Sequence, residues 1–380
     1  MTKFFGTAMA VLLTLAACSK EQGNKAVIGE NAKLTISVVG ATTTRAAFES
    51  PDNQDKIVNE FIAYIFAGNN LEATIVSTDG AAAEEECTTA ANRIYVVANA
   101  NDFLASQTIT TPASLETVLG SIHESTVATN WFNSTTDANV WASGFKTLSA
   151  SDFVLNSTED GYEGNVSVAL SFVPAKINVE VDLSGLTDYT GLTTDGSLCL
   201  TDVAILNVVG GTKFFGTSLM PAGTDLVYYT GWPMTGFSVV PAPTPDVLPL
   251  MTNAYDGTTD KFHFYVFENE ANIPAEFPTI ITLVATWGTD ADDTKATVFF
   301  PIQLTSADAG VYATSGSVTG VERGKNYKVK IALTGSAEYD KDKDRPGTTD
   351  PTLPVVRTNM TVEVEVSDWI PVEIEKEFEM

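Results

Sequence analysis

The sequence predicts an all-β protein built as two β-sandwiches. Three observations predict it. Short apolar stretches recur along the chain, some alternating with a period of two and some continuous. Polar and Gly- or Pro-containing turns separate them, and long amphipathic helical patterns are almost lacking. At 380 residues, 44% of them apolar, the chain is too long for one sandwich-sized core and apolar enough for two.

The first strand is read at Lys33 to Val39, where Leu34, Ile36 and Val38 share one face. A small polar loop follows, Ala41-Thr42-Thr43-Thr44-Arg45-Ala46-Ala47. Lys56 to Ala67 is helix-compatible in part, but its Ile, Val, Phe and Tyr content reads as strand. Arg93 to Ala98 is continuously apolar, as in a core strand. Ala113 to His123 is read as a short helix and Asn130 to Ala142 as loop. Val166, Val168, Leu170 and Phe172 alternate, and after Pro174 the pattern resumes at Ile177, Val179, Val181 and Leu183. The boundary between domains is placed near residue 185, giving sandwiches over 46–185 and 186–335.

The second half repeats the style. Val203 to Val209 is apolar, Gly210-Gly211 reads as a turn, and Lys213 to Phe215 follows. Lys261 to Phe267, Thr279 to Trp287 and Ala296 to Leu304 are strands, as is the alternation of Tyr327, Val329, Ile331 and Leu333. Residues 336–359 are charged and Pro-containing at their start and read as a linker. The tail, 360–380, places Val362, Val364, Val366, Ile370, Val372 and Ile374 on one edge and mostly Thr, Ser and Glu on the other. Asp368, Trp369 and Pro371 interrupt it, which divides it into two shorter strands. A long one-sided strand needs a sheet to pair with, its own or another molecule's.

The amino end has a short basic start at Lys3, an apolar stretch from Ala8 to Ala17, and then Cys18. That is too short to span a bilayer and has the layout of an export signal, 1–17. Leu15-Ala16-Ala17-Cys18 resembles a bacterial lipobox, which implies cleavage before Cys18 and lipid (palmitate) on its thiol. Ser19-Lys20-Glu21-Gln22 partly resembles the signal that sends Bacteroidetes lipoproteins to the cell surface.

The net charge of −27 argues against nucleic acid and anionic membrane surfaces as partners of the folded part. Cys87 and Cys199 read as small apolar residues, with no disulfide framework. No catalytic constellation is present. The two histidines are His123 and His263, the second inside an aromatic strand, and zincin, nucleophile-elbow and phosphate-loop patterns are absent. Glu84-Glu85-Glu86 carries little information in so acidic a chain. Asp340, Asp342 and Asp344 have the first spacings of a calcium loop, but Arg345 stands where Gly is needed and Pro351 where Glu is needed. The sequons at Asn133, Asn156, Asn165 and Asn359 mean little in a bacterial lipoprotein. The expectation is therefore no enzyme, no metal and no cofactor.

Together these stretches resemble the type V fimbrillins of Bacteroidetes, the FimA-like shaft subunits of pili. The resemblance is carried by the lipobox, by Lys33 to Val39 with the loop holding Arg45-Ala46, and by Lys56 to Gly68 with Arg93 to Asn99. Val321 to Leu333, the linker and Thr361 to Val372 complete it. It implies two transthyretin-like Greek-key sandwiches and a removable strand in a propeptide, 18–45. An Arg-specific protease would cut between Arg45 and Ala46, an exposed loop of the kind proteases favour. Removing Leu34, Ile36 and Val38 would leave a groove for a neighbour's tail, with Val362, Val364, Val366, Ile370, Val372 and Ile374 as knobs. In the precursor the tail is expected to pair close to its own second domain. The implied partners are copies of the chain and accessory pilins, the protease, and the outer membrane through the lipid. The implied location is a cell-surface pilus serving adhesion. The alternatives are a monomeric surface lipoprotein that binds glycans through its Trp and Tyr, or an anchor or tip accessory subunit.

Overall fold

The computed structural model describes residues 29–40, 58–121, 140–158, 161–189, 191, 196–215, 228–234, 246–248, 251–270, 277–289, 295–304, 313–315, 320–338, 346–352 and 360–368. The first half runs β1 (Asn31–Gly40), β2 (Phe61–Ala67), β3 (Asn70–Ser77), β4 (Ala83–Thr88) and β5 (Arg93–Ala98), then α1 (Asn101–Ala105) and α2 (Pro112–Glu116). It continues with β6 (Leu119–Ser121), β7 (Ala142–Thr147), β8 (Val154–Asn156) and β9 (Gly161–Phe172). The second half runs β10 (Ala175–Thr187), β11 (Cys199–Leu206), β12 (Val208–Val209), β13 (Gly211–Lys213), β14 (Tyr228–Thr230), β15 (Asp246–Val247), β16 (Thr252–Ala254) and β17 (Lys261–Val266). It closes with β18 (Asn269–Glu270), β19 (Ile280–Trp287), β20 (Ala296–Gln303), β21 (Ala313–Ser315), β22 (Gly320–Val321), β23 (Lys325–Ser336) and β24 (Met360–Asp368).

The first unit is one sheet in the order β3-β2-β5-β7-β9-β1-β4, with β8 paired to β9. β2 and β5 are buried at nearly every position, as their continuous apolar runs require, whereas β9 alternates strictly. The two end strands, β3 and β4, are consecutive in sequence. The Glu72 carboxylate on β3 accepts from the Thr88 N–H (3.1 Å) and hydroxyl (2.7 Å) on β4. The sheet therefore curls until its ends meet, which encloses a core of Leu34, Ile36, Phe61, Ile65, Val168 and Leu170, all at 1% exposure or less.

In the second unit the sheet β17-β10-β23-β24-β21 packs on the sheet β16-β11-β19-β20. Ile177, Val179, Tyr327, Val329 and Ile331 from the first interlock with Val203, Ile205, Leu283 and Phe300 from the second in one cluster. The outer face of the four-stranded sheet carries a separate cluster of Ala204, Leu206, Met234, Ile280, Val284 and Phe299.

The structure departs from the expected elements at several places. The change of sheet falls at Val173–Pro174, between the end of β9 and the start of β10. β10 is hydrogen-bonded in parallel to β23 and antiparallel to β17, because Pro174 interrupts the first unit's last strand and the alternation restarts in the second. The segment from 336 is not free throughout. Ala337 is fully buried and its N–H donates to the Thr187 carbonyl (2.8 Å). Thr348 exchanges two backbone hydrogen bonds with Phe299 (2.7 and 2.9 Å), extending the β20 edge. Only the Asp/Lys run between these flanks has the charge pattern of a solvated linker, and residues 339–345 lie outside the described residues. Finally, helix at 113–123 is confined to Pro112–Glu116, started by a capping box between Thr111 and Ser114 with Pro at the first turn, and β6 follows. Gly211 likewise begins a strand rather than a turn, and Ala142 opens β7 where loop was expected.

The two units are joined by more than the chain. β13 pairs with β6, which belongs to the first half. Phe214 and Phe215 just beyond it enter the first unit's aromatic cluster, with ring centroids 5.0 Å from Trp141 and 4.9 Å from Tyr95 respectively. Arg323 in the β22–β23 turn clasps this segment. Its guanidinium donates to the carbonyls of Phe214 (3.1 Å) and Lys213 and to the Thr212 hydroxyl (3.0 Å), with the Glu268 carboxylate at 3.5 Å. Thr212 in turn donates to Glu268 (3.1 Å).

Candidate functional site

β1 is the first of the described strands. It lies inside the sheet, parallel to β9 over Ala32–Gly40 and antiparallel to β4 over Asn31–Ile36. Its inward residues Leu34, Ile36 and Val38 are 0, 0 and 5% exposed. Leu34 fits a notch opened by Gly164 on β9. A Cβ there would lie 2.7 Å from Leu34 Cδ1 and 2.8 Å from the Asp152 carbonyl oxygen, so glycine is what allows the side chain its place. The outward face is polar. Lys33 Nζ lies 2.7 Å from Glu84 on β4, and Ser37 shares a hydrogen bond of 2.8 Å with Ser167. Both outward partners are solvated, so their contribution to stability is small.

Burying Leu34, Ile36 and Val38 stabilises the fold by about 1.5–3 kcal/mol each as an upper figure. A strand holding that much of the core is covalently continuous with β2 and the strands after it through residues 41–57. Arg45 and Ala46 fall in that connection, and together with Cys18 they lie outside the described residues.

At the other end, β24 is antiparallel to β23, with Val362 opposite Ile331, Val364 opposite Val329 and Val366 opposite Tyr327. Val364 is fully buried and Val366 packs partly against the core. The residue that interrupts the apolar row, Asp368, lies 2.6 Å from Lys325 Nζ, and Glu365 lies 3.7 Å from Lys328 Nζ. Beyond β23 the only other neighbour of β24 among the described strands is the three-residue β21. Ile370, Val372 and Ile374 lie outside the described residues. The structure thus brings each predicted segment into a sheet, but not together: β1 belongs to the first unit and β24 to the second.

Other sequence candidates have plain surroundings. His263 is exposed on β17 beside Tyr265, rings 5.6 Å apart. Cys87 and Cys199 are buried thiols. No group of His, Cys, Asp and Glu suited to a metal ion occurs among the described residues. Sequence reading missed the Gly164 notch and the Arg323 clasp. An isolated Gly in the otherwise alternating β9 pattern was the available signal for the notch. Nothing local marks Arg323, whose partners lie 55 to 111 positions away.

Two family profiles cover this architecture almost end to end. The profile for the FimA-like major fimbrial subunit protein, C-terminal domain, matches residues 175–369, more than half of the chain. The chain belongs to the FimA-like major fimbrial subunit family. A second profile, the major fimbrial subunit protein (FimA), matches residues 32–181 of this fimbrial subunit. The two matches begin within β1 and at β10, and they overlap over 175–181, on the strand that opens the second unit.

Solved structures agree in fold. A candidate cell adhesion protein from Bacteroides eggerthii is 27% identical over 92% of this chain and 99% of its own, with a TM-score of 0.69. A fimbrilin (FimA) from Porphyromonas gingivalis is 19% identical over 91% of this chain and 99% of its own, with a TM-score of 0.62. A candidate cell adhesion protein from Parabacteroides distasonis is 17% identical over 90% and 100%, with a TM-score of 0.57. The search of curated proteins returned no match. The fimbrial subunit is therefore an all-β pilin that assembles with other pilins in a filament at the cell surface.

Proposed function

We propose that this pilin is a shaft subunit that polymerises by exchanging β1 for the tail of a neighbour. The precursor is exported as a lipoprotein anchored at Cys18 in the outer membrane. A protease cuts between Arg45 and Ala46 and releases 18–45 with β1. Residues 360–380 of the next copy then fill the slot. A head-to-tail contact of this kind does not close on itself, so it propagates as a filament. The role is structural and needs no catalysis.

One observation carries the reading. A core-bearing internal strand lies upstream of a small polar Arg-containing loop, so one cut separates the strand covalently from the unit it completes. The tail suits the vacancy because Val362, Val364 and Val366 repeat the spacing of Leu34, Ile36 and Val38, and Ile370, Val372 and Ile374 repeat it again. Six such knobs stabilise a joint by on the order of 10 kcal/mol before ordering costs.

Purified precursor treated with an Arg-specific protease should give ladders of SDS-resistant oligomers whose chains begin at Ala46. A precursor lacking residues 360–380 should be cut equally well and stay monomeric. Filaments from cells whose subunits still carry residues 33–39 covalently would refute the exchange.

A further inference from the structure

Loss of β1 orphans two strands, not one. Among the described strands β4 shares a backbone ladder with β1 alone, while β9 keeps β7 and β8. Because β1 runs parallel to β9 and antiparallel to β4, the bereaved β4 and β9 face each other in antiparallel sense across a gap of about 10 Å, two strand spacings. Each presents a free row of N–H and C=O groups. β4 could therefore slide inward and zip onto β9. That closure is intramolecular and would outrun any donor arriving from solution. A subunit that assembles must forbid it.

The side chains on β4 do so. Directly opposed residues of an antiparallel pair share a face, so Cys87, Glu85 and Ala83 share the inward face with Ala32, Leu34 and Ile36. Cys87 is 9% exposed, in keeping with that face, while Glu85 is exposed. If β4 moved into the vacated lane at its present register, Glu85 would stand where Leu34 stood, opposite Gly164, and would press its carboxylate into a place where Leu34 is 0% exposed. A charge buried there without a partner is strongly disfavoured. Glu84 and Glu86 are on the outward face, the side of Lys33, and would stay in solvent. Glu72 adds a second restraint, gripping Thr88 through both its N–H and its hydroxyl and so tying β4 to β3.

We infer that Glu85, with the Glu72–Thr88 clamp behind it, keeps the emptied groove from closing on itself and so selects a strand from a second copy of this chain over β4. This rests on the exchange reading above and adds to it a residue that decides between closure in cis and donation in trans.

Cys87 is a built-in reporter, covered by β1 opposite Ala32. Full-length precursor is cut with the Arg-specific protease at low protein concentration and pulsed with a thiol reagent. Modification of the Cys87 peptide is followed by mass spectrometry, with buried Cys199 as the internal reference. In the unsubstituted chain Cys87 should label at least about tenfold faster after cutting than before. In Glu85→Val, Cys87 should remain protected after cutting. At assembling concentration its oligomer yield should fall about tenfold or more, since a buried valine replaces a buried charge. Glu86→Val, on the outward face, should behave as the unsubstituted chain does, and Glu72→Ala should slow assembly in the same direction as Glu85→Val.

Equal Cys87 labelling and equal oligomer yield in Glu85→Val and the unsubstituted chain would overturn the inference. So would a Cys87 that, once mass spectrometry shows the 18–45 peptide to have left, stays as protected in the cut, unsubstituted chain as in the uncut one. Failure of the exchange reading looks different: Cys87 would open on cutting, yet oligomers would form equally well without residues 360–380.

Discussion

Leu34 and Gly164 should be energetically coupled, because one supplies the knob and the other the notch. Leu34 is fully buried on a strand that residues 41–57 join covalently to β2 and the strands after it. Truncating such a leucine costs about 2.7–5 kcal/mol, the lost transfer energy plus the cavity left behind. For a domain of the size matched over residues 32–181, this lowers the melting temperature by about 6–15 °C. Gly164→Ala should act from the other side. Its new Cβ would meet Leu34 Cδ1 at 2.7 Å and the Asp152 carbonyl at 2.8 Å, an overpacking of about 1–3 kcal/mol. In Leu34→Ala/Gly164→Ala the first clash disappears and the second remains. The double variant should therefore be less destabilised than the sum of the singles, by on the order of 1 kcal/mol. Urea unfolding of the uncut precursor, followed by circular dichroism for all four members of the cycle, measures this. Additivity within about 0.5 kcal/mol, or a Leu34→Ala cost below about 1 kcal/mol, would refute the assignment of β1 as a core-bearing strand seated on Gly164.

Arg323→Met should destabilise the chain by about 3–5 kcal/mol in urea, because it leaves Glu268, whose side chain is 7% exposed, without its cation and strips Phe214 of a donor; a change under about 1 kcal/mol would show that the clasp is incidental. Gly120→Ala should shift tryptophan emission and destabilise by about 1–3 kcal/mol, since its Cβ would lie 2.4 Å from the Trp141 ring that stacks between Phe103 and Phe267; an unchanged spectrum and midpoint would contradict that packing. Burial, then the charge of Glu72, pushes the Cys87 thiol from 9.0 up to about 12, so the folded state holds this proton more tightly than the unfolded chain does. Its contribution is fully present below about pH 9 and is lost as pH rises toward about 12. Cys87→Ala should flatten the alkaline fall in urea midpoint over that range, leaving the part due to Tyr64, Tyr95 and Tyr189, which burial likewise raises to about 12; an identical decline in both proteins would count against it.

Much of the fold was legible in the chain because its signals are local. Arg93–Ala98 is a strand over the residues read from its apolar run, and β9 and β23 follow the alternation of Val166 to Phe172 and Tyr327 to Leu333. β24 was legible in the same way. The places that read poorly have nonlocal causes. The restart after Pro174 was visible, but which sheet β10 joins depends on β17 and β23, far along the chain. The Thr348 segment looked like linker because its two hydrogen bonds go to the edge of β20, and no sequence pattern announces an open edge.

The sequence by itself determined that this pilin is all-β, which residues of its alternating strands face inward, and that β1 and β24 are apolar on one side. Strand periodicity fixes these because a side chain's face depends only on its position along its own strand. Tertiary structure alone decided that β1 lies between β9 and β4, that Gly164 receives Leu34, and that Arg323 ties the two units together. Those are contacts between residues distant in sequence, chosen by which faces can be buried against each other when the whole chain closes.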